Sequence, residues 1–289
     1  MTVVVTGATG HLGRLIVESL LARGAEPASI VAAGRQTEKL AALAELGVST
    51  ARVDYSDAAS LAAAFAGADT VMLVSGSELG QRVAQHAAVI AAAQASGVTR
   101  IVYTSAPRAD TSTLVLAPEH KATEELIRAS GLNFTILRNG WYTENYLGML
   151  EQSDASGEVA VSVGDGRVAS ASRADYADAA AVVLLGEGHD SAIYELSGDV
   201  AWNFGDLAAA FSDILGREIT FRAISTEEHI AEMTEAGLPA DAVQFIAVLD
   251  ANIRDGVLAE TSGDLARLIG RPTTPLLQGL RTARGILVG

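Results

Sequence analysis

The chain contains no cysteine, which excludes a disulfide framework, a thiolate nucleophile and zinc held by cysteines. Basic residues are scarce: 20 Lys and Arg stand against 35 Asp and Glu, a formal charge of −15 over 289 residues. Such a surface repels phosphate backbones and anionic membranes, so neither nucleic acid nor a membrane is expected as a partner. Lysine itself occurs only at Lys39 and Lys121, and the residues four places earlier are Arg35 and Ala117. No Tyr-x-x-x-Lys pair therefore exists, and with it goes the proton relay in which a lysine lowers a tyrosine pKa. Gly76-Ser77-Glu78-Leu79-Gly80 places its serine one position too early for the G-x-S-x-G elbow of hydrolases, and the five histidines form no H-x-x-x-H pair. No metal is expected. Apolar runs fall short of the ~20 residues a membrane helix needs, and the opening MTVVVTG has no basic flank or small-residue cleavage site, so the protein is expected in the cytoplasm.

What is present is apolar residue in quantity, 49% of the chain, enough for a sizeable core. The β-branched run Thr2–Thr6 meets glycine, and His11–Arg23 then carries Leu12, Leu15, Ile16 and Leu20 at helical spacing. The rhythm repeats: Ile30–Ala33 before Thr37–Leu46, Ser49–Val53 before Ala58–Ala66, Thr70–Val74 before Gly80–Ser96, and Arg100–Thr104 before Pro118–Ser130, with Asn133–Arg138 as a sixth strand. Apolar strands alternating with helices predict an α/β fold, a doubly wound, Rossmann-type parallel sheet covered on both faces. Beyond Trp141 the alternation weakens, and from Phe204 helical patterns dominate. The expected organisation is a dinucleotide-binding domain over 1–150, returns to the sheet near 174–200, and a smaller, mainly helical C-terminal lobe within 151–289.

Thr6-Gly7-Ala8-Thr9-Gly10-His11-Leu12-Gly13 has the spacing G-x-x-G-x-x-G between a strand and a helix. That position gives the glycines work: Gly7 for the tight turn, Gly10 for close approach of backbone to a pyrophosphate, Gly13 for helix–strand packing, with the helix N-terminus facing the anion. The second strand ends at Ala33-Gly34-Arg35, where a carboxylate would otherwise take the ribose 2′-hydroxyl of NAD. An arginine suits a 2′-phosphate, so NADPH is the expected cofactor. Asp54, ending the third strand, is read either as an acceptor for the adenine amino group or as a cap for the helix near Ala58, a role open also to Asp57.

With the tyrosine–lysine relay missing, the acceptor should need little acid catalysis. Hydride addition to a quinone gives a delocalised oxyanion, which a neutral donor or water can protonate, whereas a simple ketone gives a basic alkoxide. Asn139-Gly140-Trp141-Tyr142 follows the sixth strand, at the sheet edge where such folds bind ligands. Tyr142 and Asn145 are candidate donors, and Trp141 or Tyr146 candidates to stack on a flat ring, with an aromatic cluster sealing the lobe as the alternative. Trp202 is read as core. His120 is a candidate proton donor or a surface histidine at a helix start.

On Thr6–Gly13, Arg35, Val74–Arg82 and Leu137-Arg138-Asn139-Gly140-Trp141-Tyr142-Thr143-Glu144-Asn145-Tyr146, the chain resembles the NmrA-like atypical short-chain dehydrogenase/reductase family, on its branch of bacterial NAD(P)H:quinone reductases and triphenylmethane reductases. The resemblance spans essentially the whole chain. It implies NADPH held by Gly7, Ala8, Thr9, Gly10, His11 and Leu12, by Arg35, by the Ser75-Gly76-Ser77 turn, by Asn139, Gly140, Trp141 and Tyr142, and by Arg173. It implies a small-molecule substrate, a quinone or conjugated carbonyl, beside the nicotinamide and under the C-terminal lobe; the candidate catalytic residues are Tyr142, Asn139 and His120. A homodimer is an open expectation. Ser105-Ala106-Pro107-Arg108 departs from the apolar residues of the quinone reductases at a loop that borders substrate. A carbonyl or dye reductase, or a dinucleotide redox sensor without turnover, are the alternatives; a nucleotide-sugar epimerase is disfavoured by the missing Tyr–Lys pair.

Overall fold

The computed structural model describes residues 1–285, so the last four residues of the expected C-terminal segment lie outside it. The strands are β1 (Val3–Val5), β2 (Ile30–Gly34), β3 (Ser49–Arg52), β4 (Thr70–Leu73), β5 (Arg100–Ser105), β6 (Asn133–Asn139), β7 (Glu158–Val161), β8 (Arg167–Val168), β9 (Ala192–Leu196), β10 (Trp202–Asn203) and β11 (Thr220–Ala223). The α-helices are α1 (His11–Ala22), α2 (Ala41–Glu45), α3 (Ala58–Phe65), α4 (Arg82–Ala95), α5 (Ala117–Ala129), α6 (Leu147–Ser156), α7 (Arg173–Leu185), α8 (Phe204–Leu215), α9 (Thr226–Glu235), α10 (Ala240–Arg254), α11 (Asp264–Ile269) and α12 (Leu276–Ala283).

Seven strands form one sheet in the order β3-β2-β1-β4-β5-β6-β9, every neighbouring pair parallel. The doubly wound fold expected from the sequence is thus present. Order reverses between β1 and β4, and this switch point opens the crevice in which such sheets bind ligands. Helices α1, α7 and α11 pack on one face and α3, α4 and α5 on the other. Ile16, Val17 and Leu20 of α1 are fully buried against Ala180, Ala181 and Leu184 of α7. Each such aliphatic side chain contributes about 1.5–3 kcal/mol by leaving water.

The C-terminal lobe has its own core around Trp202, Phe204, Leu207 and Phe211. It is less purely helical than its sequence pattern implies, because β7 pairs with β11 and β8 with β10 in two small sheets. Helix α8 is fixed by a capping box in which Asn203 and Asp206 each take the other's backbone amide. Nor is the lobe one continuous stretch: Leu265 and Ile269 of α11 return to the main core beside α7. Among the described residues no helix is long and apolar enough to cross a membrane.

Candidate active site

A groove runs along the C-terminal ends of β1–β4, lined by the Gly7–Gly13 turn, Arg35, Asp54, the Val74–Glu78 segment and Arg173. Its cavity volume is about 370 Å³, within the range of small-molecule sites. Gly7 has φ of +65°, a conformation that costs glycine little. A Cβ on Gly13 would lie 2.4 Å from the Gly7 carbonyl oxygen, so only glycine lets α1 sit this close to the turn. Gly10, the N-cap of α1, offers no side chain to the helix. The first-turn amides, at His11 and Leu12, are left for whatever fills the groove, with the positive end of the helix dipole behind them.

Of the residues expected to hold a dinucleotide, the structure brings Gly7, Thr9, Gly10, His11 and Leu12 to the groove, together with Arg35, Asp54, Ser75, Gly76, Ser77 and Arg173. Ala8 does not join them: its side chain is buried and its amide donates to Ala33 O at 2.9 Å. The cap reading falls to Asp57, whose carboxylate caps α3 through the amides of Ala59 and Ser60. Asp54 accepts from the Ser56 amide at 3.0 Å and keeps its place on the groove wall.

The Ser75–Ser77 turn is held at several points. Thr104 Oγ1 accepts from the Ser75 amide at 2.9 Å. The Gly76 peptide is gripped at both ends, its N–H donating to His86 Nε2 at 3.0 Å and its carbonyl accepting from Arg82 Nε at 2.8 Å. Arg82 in turn donates to Glu119, tying the turn to α5. His86 accepts at Nε2, so its proton sits on Nδ1, which faces Thr123 Oγ1 at 3.0 Å. Sequence reading missed His86, Tyr55 and Glu78. Tyr55 lines the groove with its hydroxyl 2.6 Å from Thr6 Oγ1 and 2.9 Å from Val74 O, and burial raises its pKa to about 12.

Asn139 and Tyr142 sit beyond the groove and are joined to it through Arg173. Asn139 Nδ2 donates to Tyr142 Oη at 3.3 Å, while Asn139 Oδ1 is buried without a partner. The Arg173 guanidinium lies 4.9 Å from the Tyr142 ring centroid and donates to Asn145 Oδ1 at 2.9 Å. Burial raises the Tyr142 pKa, with the Asn139 hydrogen bond and Arg173 opposing. Tyr142 is thus held as a neutral phenol that accepts from Asn139 and has its own proton to give.

Three expectations are corrected by the structure. Gly140 and Trp141 line a separate, small cavity with Pro107, Arg108 and Glu195 rather than the dinucleotide groove. Successive residues leaving a strand point to opposite faces, and the Gly140 amide is already bound to Leu196 O at 2.7 Å. Tyr146 stacks on no open surface: it is buried edge-on to Trp202 at 5.0 Å, the sealing aromatic cluster. Trp202 is core, as read, and donates to Ser170 Oγ. His120 is neither a surface residue nor at the groove. It is 5% exposed, bonded through Nδ1 to Tyr103 Oη at 2.7 Å, and burial with the nearby Arg82 lowers its pKa to about 3, so it is a neutral imidazole at neutral pH.

The sequence profile of the NAD(P)H-binding family matches residues 7–187. The chain is 43% identical over 278 residues to quinone oxidoreductase 2 of Escherichia coli, covering 96% of this chain and 97% of that one. Its fold superposes on the structure of the NADPH-dependent quinone oxidoreductase QOR2 from Escherichia coli complexed with NADPH, with TM-score 0.92, 42% identity and coverage of 98% and 99% of the two chains. The triphenylmethane reductase of a Citrobacter species, complexed with NADP(H), gives TM-score 0.91 at 37% identity over 98% of this chain and all of that one. The chain belongs to the NAD(P)H-binding family, together with quinone oxidoreductase 2 and triphenylmethane reductase.

Proposed function

We propose that the protein is an NADPH-dependent reductase of quinones or similarly conjugated carbonyl acceptors. The observation that carries this reading is the placing of Arg35 at one end of a groove whose floor is the uncapped N-terminus of α1. Backbone amides there suit a pyrophosphate, and a guanidinium suits a 2′-phosphate. When bound, the reduced nicotinamide supplies a hydride to the acceptor.

The protein's own contribution is placement and a neutral proton donor. Arg173 reaches from the groove to Tyr142 and Asn145, so the anion-binding wall and the donor cluster share one side chain. Tyr142, turned by Asn139, donates its hydroxyl proton toward an acceptor oxygen as negative charge develops. A phenol whose pKa burial keeps high gives only modest electrophilic help during hydride addition, enough where a quinone spreads the developing charge over its ring and too little where a simple ketone localises it on one oxygen. This matching of donor to acceptor supports the conjugated class and takes the place of the missing Tyr-x-x-x-Lys relay.

The test is steady-state loss of reduced-nicotinamide absorbance with 1,4-benzoquinone and a menadione-type acceptor, without added flavin. Turnover that favours NADPH over NADH is expected. Tight NADPH binding with no turnover on either acceptor would remove the reductase reading. Tyr142→Phe is expected to lower kcat about tenfold, the scale of one donor to a developing oxyanion that water can partly replace. The KM for NADPH should stay within twofold, and an unchanged kcat would exclude Tyr142 as the donor.

A further inference from the structure

The adenosine end of the groove contains an ion pair that the proposed cofactor has to meet. Arg35 follows β2 and Glu78 lies in the segment between β4 and α4, and both line the groove. Arg35 Nη1 donates to Glu78 Oε1 at 2.7 Å. The other carboxylate oxygen, Glu78 Oε2, accepts from Gln85 Nε2 of α4 at 2.8 Å. Glu78 therefore has a side-chain partner on each carboxylate oxygen. One oxygen is tied to α4 while the other is tied to the guanidinium.

A guanidinium carries five donors, enough for a bidentate phosphate contact. A 2′-phosphate arriving at Arg35 meets a fixed carboxylate sharing the same cation. Two anions at hydrogen-bond range from one exposed guanidinium repel, so the phosphate either displaces Glu78 or binds against its charge. A free ribose 2′-hydroxyl meets no such opposition, since a carboxylate accepts a hydrogen bond from a hydroxyl. We propose that Glu78 is a specificity-determining residue: it occupies Arg35 until a 2′-phosphate displaces it, and so narrows the preference for NADPH over NADH. This rests on the assignment of Arg35 to the 2′-phosphate. It adds that the arginine's selectivity is set by a competitor within the chain, with Gln85 holding that competitor in place.

The pair is solvent-exposed, with side chains 64% and 41% accessible, so the effect is moderate. Removing the charge by Glu78→Gln is expected to tighten 2′,5′-ADP binding about three- to tenfold, the range of an exposed ion pair plus a nearby like charge. Binding of 5′-ADP, which lacks the 2′-phosphate, should change less than twofold. Both ligands are measured by titration calorimetry on the full-length protein, which also shows whether the variant is folded and competent. Should wild type prefer 2′,5′-ADP and Glu78→Gln leave that preference unchanged or reduced, the competitor role is overturned while the Arg35 assignment stands. Should the two ligands bind equally to wild type and to Glu78→Gln alike, the Arg35 assignment fails and takes the competitor with it. Equal tightening of both ligands also overturns the proposal, because it would mark a general charge effect.

Discussion

Arg35→Asp should weaken NADPH by about 100-fold in kcat/KM while leaving NADH within a few-fold of wild type, the loss of a charge-assisted phosphate contact and its replacement by repulsion. The asymmetry follows from where the residue stands. Arg35 follows directly on β2, which β1, β4 and β5 separate in the sheet from β6 and its Asn139; in the proposed reading it meets the adenosine end of a dinucleotide rather than the reacting end. An aspartate there also offers the ribose 2′-hydroxyl the acceptor that NAD-specific members of the fold use. In the variant, Glu78 loses its cation and the introduced side chain adds a second carboxylate, so the groove becomes more hostile to a 2′-phosphate. Initial-rate measurements with both cofactors at fixed acceptor decide the matter. Equal loss with NADPH and NADH would mean that Arg35 supports the turn and not the phosphate.

The part of the site carried by the glycine turn was legible because its determinants are local. Gly7, Gly10 and Gly13 lie between a β-branched run and an amphipathic helix, and the same short stretch dictates both the turn and the helix N-terminus. The far end depends on which way a chain leaves its strand. Asn139 and Gly140 are neighbours in sequence, yet one turns to Tyr142 and the other to Leu196, and no composition or spacing distinguishes those two directions. The small sheets of the lobe were illegible for a related reason. β8 and β10 are two residues each, too short for alternation to register, and β7 finds β11 across some sixty residues of chain. His120 did leave a signal. With Ala117, Thr123, Glu124 and Ile127 it shares the buried face of α5, the i, i+3, i+7 spacing of residues that point inward.

That buried face leads to an expected acid lability. Stability should fall by about 4 kcal/mol between pH 7 and pH 5, from His86 and His120 together. Burial, then the charge of Arg82, lowers the pKa of His86 to about 3, and His120 is lowered to about 3 by burial, Arg82 and His86. Unfolded histidines titrate near 6.5, so below that pH the unfolded chain binds protons that the native protein refuses, and stability drops as pH falls toward the native value. At pH 5 each histidine accounts for about 2 kcal/mol, a figure set almost wholly by the unfolded pKa once the native one lies well below 5. Carboxylates held low, such as Asp110 by Arg138 and Asp178 by Arg23, lose their contribution only below the ordinary carboxylate range, in a separate window. Proton uptake at His86 also removes the acceptor of the Gly76 amide, so the groove wall and the fold should fail together. Urea unfolding at pH 7 and pH 5 measures the difference, and His86→Gln and His120→Gln should each halve it. A pH-independent stability over that interval, or an undiminished slope in both variants, would show that these imidazoles are not held neutral by the fold.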